Sequence, residues 1–261
     1  MPLVRSAIAL GCAPLLARHF RVVRRLAEHG FFRAGGVLVG THAFLAYGNI
    51  LGLRWADSAR TQDVDLAHAG NSLSLALHSS LQVNTHSAIE SLQAGLLPIA
   101  GLSGKAGPSY LNPKDPEFRI DFLTTLHRGG DAPFEHRQLR VVMQPLRFME
   151  YLLENVGQAV VFCDEGSVAV NIPHPARYAL HKLLEFGERS GSMLQKSRKD
   201  LLQAGALLDY LKSVRAWDVE EAWANLICRG RGWTTRARQG IDALAKTAPE
   251  LGMKEWLRFK K

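Results

Sequence analysis

Asp63-Val64-Asp65 places two carboxylates on either side of a single apolar residue. Side chains alternate along a strand, so both acids project from one face about 7 Å apart, within reach of one divalent cation or a pair. Hard cations such as Mg²⁺ or Mn²⁺ take oxygen ligands, and beside a nucleotide they combine a few carboxylates with substrate phosphates. Gly40-Thr41, which ends the short apolar run Val37 to Val39, supplies a complementary half. A glycine lets the backbone approach a phosphate, its amides point at the anion, and the threonine hydroxyl adds a donor. A third acid, Asp121, lies within Phe118-Arg119-Ile120-Asp121-Phe122-Leu123. A carboxylate set between apolar residues is costly to desolvate unless something such as a shared cation compensates it.

This layout resembles the nucleotidyltransferase superfamily related to DNA polymerase β. There a Gly-Ser, Gly-Gly or Gly-Thr turn precedes an Asp-x-Asp strand, and a third acid follows on a neighbouring strand. The resemblance implies that Asp63 and Asp65 bind Mg²⁺ or Mn²⁺, with Asp121 completing the metal site or activating the acceptor hydroxyl. It also implies that Gly40 and Thr41 hold the phosphates. The segment His42 to Gln62 is a longer insertion than the compact members carry.

Further along, the helix PARYALHKLLEFGER (Pro175 to Arg189) carries Lys182 and Arg189, and QKSRKDLLQAGALL carries Lys199 and Asp200. Taken alone, these charges read as solvated helix faces. Their order is similar to the C-terminal signature of a bacterial subgroup, the abortive-infection and toxin-type nucleotidyltransferases. That likeness implies that Lys182 and Arg189 contact the triphosphate and that Asp200 is needed for activity. It further implies a nucleoside triphosphate substrate, an RNA (tRNA) or protein acceptor, and an antitoxin partner.

The composition sets wider bounds. At 261 residues the chain has room for one large domain or two modest ones, and 47% hydrophobic with 21% charged residues is ordinary for a globular protein. The net charge of +8 suits an acidic partner such as a nucleotide or RNA. Cys12, Cys163 and Cys228 have no paired spacing, which argues against a disulfide framework or a zinc cage and fits a reducing cytoplasm. No run approaches the roughly 20 apolar residues of a membrane helix, so no membrane association is expected.

The elements that must position these residues follow from periodicity. Pro14 to Gly30 is an amphipathic helix with Leu15, Leu16, Phe20, Val23 and Leu26 on one side and four arginines on the rest. A strand at Val37 to Val39 leads through the glycine turn into a helix from Thr41 to Tyr47, and Asn49 to Arg60 reads as a loop presenting Arg54 and Arg60 to a triphosphate. Ser72 to Leu97 reads as helical, Pro98 to Pro108 as a loop, and Tyr110 to Leu126 as a hairpin ending in the strand that bears Asp121. His127 to Gln138 reads as a polar loop, Leu139 to Met143 as a strand, Pro145 to Asn155 as a short helix, and Ala159 to Ile172 as a second hairpin. From Pro173 onward the pattern is helical, closing with Trp217, Trp223, Trp233 and Trp256. Arg229, Arg231, Arg236 and Arg238 lie there too, either as an RNA-gripping patch or as the polar flank of packed helices.

The expected fold class is α+β: a small mixed β-sheet flanked by helices, forming a nucleotidyltransferase core over residues 1–172, followed by a C-terminal helical bundle over 173–261. The expected activity is metal-dependent transfer of a nucleoside monophosphate from a triphosphate to an acceptor hydroxyl or phosphate. Two alternatives use the same residues: a non-catalytic nucleic-acid-binding module on this fold, and a metal-dependent phosphohydrolase.

Overall fold

Gly11 and Pro14 interrupt the apolar start of the chain, so a short helix α1 (Pro2–Ala9) precedes the longer α2 (Ala17–Glu28). The computed structural model describes residues 2–55, 61–70, 82–100, 106–126, 130–188 and 194–258. The chain divides into two compact units, Met1–Pro173 and His174–Lys261. Helix α2 buries Phe20, Val22, Val23 and Leu26, and its outward Arg21 pairs with the Glu165 carboxylate.

The rest of the first unit runs β1 (Val37–Leu38), α3 (Gly40–Leu51), β2 (Asp63–His68), α4 (Thr85–Glu90), β3 (Leu97–Ala100), β4 (Ala106–Asn112) and β5 (Asp115–Thr125). It continues through β6 (Phe134–His136), β7 (Val141–Leu146), α5 (Met149–Leu153), β8 (Val156–Cys163) and β9 (Gly166–Pro173). The main sheet is mixed, in the order β1-β2-β5-β4-β3, with β7 pairing β5 beyond the end of β4 and β6 pairing β7. Strands β2 and β5 run parallel from Asp63↔Arg119 to His68↔Thr124. Alternation dictates what each face does: Val64, Leu66, Ile120 and Phe122 are fully buried on one side, leaving the charged residues between them on the other. Phe31 and Tyr110 meet the Phe122 ring edge-on at centroid distances of 6.0 and 5.8 Å, the geometry aromatic pairs favour. The second hairpin, β8 with β9, pairs antiparallel along its whole length.

Several local expectations give way. Asn49 to Leu51 continue helix α3, because the Asn49 side chain is used to receive Ala13 N–H (2.8 Å) and donate to Ala13 C=O (3.0 Å). In Ser72 to Leu97, the described helix is only α4, capped by Asn84 accepting from Ser87 N–H at 3.0 Å. Residues 71–81 lie outside the described residues, as does Arg60. Leu97, expected to end a helix, and Pro98 to Ala100, expected as loop, form an edge strand, and Phe134 to His136 gains strand geometry by pairing with β7. For these two strands, long-range pairing overrides a weak local pattern.

The second unit is helical: α6 (Pro175–Glu188), α7 (Leu194–Val214), α8 (Ala216–Ile227), α9 (Arg231–Thr247) and α10 (Met253–Arg258). Helices α6 and α9 touch backbone to backbone. A Cβ at Gly240 would overlap Leu183 C=O, and one at Gly187 would overlap Arg236 C=O. Trp223 is buried, whereas Trp217 is 72% exposed, so the tryptophans are not uniformly core. Among the described residues no helix is long and apolar enough to cross a membrane.

Histidines buried in the first unit tie its stability to pH. Burial, with His68 beside it, lowers the His136 pKa to about 4. Burial, with Arg18 nearby, does the same to His19. The folded chain resists protonation that the unfolded chain accepts from about pH 6.5 downward, so this stability is present above 6.5 and is lost as pH falls towards 4. Each histidine costs up to about 1.4 kcal/mol per pH unit inside that window. Urea midpoints measured at pH 7 and pH 5 are expected to fall on acidification, and to fall less in a His136→Gln variant.

Candidate active site

Parallel registration of β2 with β5 sets Asp63 opposite Arg119 and Asp65 opposite Asp121. All four side chains belong to the face opposite Val64 and Ile120, so three acids and one guanidinium form a charged square on the sheet. Strand β4 adds Ser109, which sits opposite Asp121 in the antiparallel register. The Ser109 hydroxyl donates to Asp121 Oδ1, and Arg119 Nε donates to Asp121 Oδ2 at 2.9 Å. A second guanidinium nitrogen of Arg119 lies 3.7 Å from Asp63 Oδ2. Side-chain exposure is 34% for Asp63 and 40% for Arg119 but only 14% for Asp121. Asp121 is therefore the member most dependent on its hydrogen bonds. From α2, Arg18 reaches both strands near their starts, pairing with Asp115 at 2.8 Å and donating to the Gln62 side-chain oxygen.

Helix α3 begins beside this square for a topological reason. Strand β1 is antiparallel to β2, and after Leu38↔Leu66 the Val39 amide donates to Asp65 C=O at 3.0 Å. The chain must turn at the next residue, directly against the Asp65 side chain. Gly40 has φ +60°, and a Cβ there would overlap Asp65 Oδ2. The carboxylate thus lies against the start of α3, where the positive end of the helix dipole favours negative charge. Thr41 is 6% exposed, so its hydroxyl is largely enclosed rather than facing solvent.

Next along α3, His42 Nε2 lies 3.0 Å from His19 Nδ1, and the His19 ring stacks on Phe118, the residue before Arg119 in β5. This buried pair ties α2 to α3. His68 is likewise structural, with Nε2 donating to Ala34 C=O at 2.9 Å and Nδ1 accepting from the Gly70 amide.

The donor chemistry of this face fits a divalent cation of the Mg²⁺ class, since every candidate ligand is a carboxylate oxygen on adjoining strands. The backbone brings Asp63, Asp65 and Asp121 together. As their side chains stand, however, no group of three or more His, Cys, Asp or Glu converges on one point among the described residues. Asp121 faces Ser109 and Arg119, Asp63 approaches the same guanidinium, and Asp65 leans on Gly40.

The helical residues behave differently from the solvated face anticipated for them. Lys182 is 8% exposed and Asp200 3%. Lys182 Nζ lies 2.9 Å from Glu185 Oε2 and 3.0 Å from Asp200 Oδ1, with the Tyr178 ring centroid at 5.5 Å. Burial opposes the ammonium charge, but Glu185 and Asp200 outweigh it and hold the pKa well above the ordinary lysine value. Arg189 lies outside the described residues. The arginines near the start of α9 are partly engaged locally. Arg236 pairs with Glu188, while Arg229 donates to Asn225 and lies 5.2 Å from the Trp233 ring centroid.

Two participants escaped sequence reasoning. Arg119 was signalled by its two-residue spacing from Asp121 on an alternating strand. Ser109 had no local signal, because only the register of the hairpin puts it beside the acid.

A sequence profile of the family described as nucleotidyltransferase matches residues 17–228. No curated protein matches the chain. Among solved structures, an antigenic nucleotidyltransferase-like protein from Paracoccidioides brasiliensis aligns at 15% identity with a TM-score of 0.39. That alignment covers 87% of this chain and 95% of the other.

Gly40→Ala is expected to destabilise the protein by about 1–2 kcal/mol, through its left-handed backbone and the displaced Asp65 carboxylate, as read by denaturant midpoints. Lys182→Met strands the buried Asp200 carboxylate beside the half-buried Glu185 and is expected to cost about 3–5 kcal/mol. Adding Asp200→Leu to it should recover much of that loss, because the pair then leaves together.

Proposed function

Since the chain belongs to the nucleotidyltransferase family, we propose that it moves a nucleoside monophosphate from a nucleoside triphosphate to an acceptor hydroxyl or phosphate, releasing pyrophosphate. The observation that carries this reading is the in-register placement of Asp65 and Asp121 on one sheet face, beside the glycine turn that opens α3. In the proposed mechanism Asp63, Asp65 and Asp121 would hold Mg²⁺ or Mn²⁺, which would supply Lewis-acid polarisation of phosphoryl oxygens and charge neutralisation.

The chain's own residues do the rest by positioning and electrostatics. Backbone amides at Gly40 and Thr41 receive β- and γ-phosphate oxygens at the positive end of α3. The Asp121 carboxylate takes the proton of the attacking hydroxyl, and the Ser109 hydrogen bond fixes its orientation. Burial of Val64, Leu66, Ile120 and Phe122 beneath the acids keeps the strands in register while charge shifts above them.

The finer kinship, to the abortive-infection and toxin type, rests on the order Lys182, Arg189, Lys199-Asp200. It brings with it an RNA or protein acceptor and an antitoxin partner. In this reading the Lys182–Asp200 ion pair fixes α6 against α7, and Asp200 is needed for activity through that pairing.

Incubation with each α-labelled nucleoside triphosphate, Mg²⁺ or Mn²⁺, and total cellular RNA and protein reads nucleotide and acceptor together. Label is expected in one macromolecular fraction. Asp65→Asn is expected to lower incorporation at least a hundredfold while its melting curve stays cooperative. Full activity in that variant would remove Asp65 from the mechanism. Release of labelled monophosphate with no incorporation would point to the phosphohydrolase, and nucleic-acid binding without turnover to the binding module.

A further inference from the structure

We propose that Arg119 is a positioning residue acting as a built-in counter-cation: it neutralises Asp121 and Asp63 before a divalent ion arrives, and therefore competes with that ion for the same oxygens. The inference rests on the metal-binding reading of the acidic face and concerns what this chain does to that affinity.

Four observations carry it. Asp65 and Asp121 are directly opposite on paired strands, where like charges repel. Arg119 is the cation that the register inserts into the same square, opposite Asp63 and two residues from Asp121. Its guanidinium bonds to Asp121 at 2.9 Å and lies 3.7 Å from Asp63, bridging the two strands. The side chain is 40% exposed, so the arginine has room to leave without repacking the core. An arginine keeps its charge at any working pH, so the competition is constant rather than pH-gated. The fork of donors that lets it grip Asp121 also suits phosphate oxygens. A triphosphate arriving with its ion therefore offers the displaced guanidinium a new partner.

The test compares Arg119→Met, which keeps the stem and removes the charge, with Arg119→Lys, which keeps the charge but loses the fork. Mn²⁺ binding is measured on the nucleotide-free protein by calorimetry, and melting temperature is measured in chelator and with Mn²⁺. Arg119→Met is expected to bind Mn²⁺ about tenfold more tightly than wild type, the scale of one charge-assisted hydrogen bond released from competition. It should melt lower in chelator and rise further when Mn²⁺ is added. Arg119→Lys should fall between the two, and it carries the test if the methionine variant does not fold. Unchanged or weaker Mn²⁺ binding in these variants overturns the proposal.

Asp121→Asn separates this from failure of the metal reading itself. If it abolishes Mn²⁺ binding while Arg119 variants leave affinity unaltered, the acids hold the metal and the arginine does not compete. If wild type and Asp121→Asn bind Mn²⁺ equally, the acids are not the site, and both readings fall.

Discussion

Two carboxylates facing each other across a parallel strand pair are the constraint around which the first unit is arranged. Carried on paired strands of one face, the like charges of Asp65 and Asp121 repel, an effect reduced by their partial exposure to solvent. The register that creates this repulsion is imposed from the opposite face. Val64, Leu66, Ile120 and Phe122 are all buried there, and a slip of one residue would put the acids in the core and these side chains in water. Hydrophobic pairing therefore holds a charge arrangement that electrostatics alone would disperse. The neighbours that compensate it, Arg119, Ser109 and the start of α3, arrive from the same strand, the next strand and the preceding turn.

The second unit solves a related problem in the reverse way. Lys182 is enclosed, and its two acidic partners are drawn onto it from its own helix and from α7. Every charge there has a counter-charge at hydrogen-bond distance, so the cluster rigidifies its surroundings and leaves little to offer a ligand. The acidic face of the sheet holds more negative than positive charge and is partly open. That asymmetry is why the sheet, rather than the buried lysine, anchors the functional reading.

How much of this could be read from the chain depended on the range of the interaction. Asp63 and Asp65 announce a shared face by their spacing alone, and Phe118 to Leu123 announces a strand by alternation. Both hairpins follow from paired apolar runs around short turns, Asn112 to Asp115 and Cys163 to Gly166. Gly40 was recognised as a turn, although the sequence could not say that the neighbouring atom would be an Asp65 oxygen. The burial of Lys182 was not legible, because helical spacing alone put it with Glu185 on a polar stripe, and a second helix had to cover that stripe before it became interior. The same holds for β3 and β6, whose strand character exists only because β4 and β7 lie beside them, and for Ser109, which means nothing until β4 is aligned with β5.

The position of β5 has one more consequence. It bonds β2 on one edge and, along successive parts of the other, β4 and then β7, whereas β3 closes the sheet as a border. Opening a border costs one ladder, but freeing the centre of β5 means breaking ladders on both sides and exposing Ile120 and Phe122. Its amides should accordingly exchange with deuterated solvent only through whole-unit unfolding, while those of β3 exchange through local fraying. The third acid thus rides on the slowest-opening stretch of the sheet, and its geometry outlasts the looser segments around it.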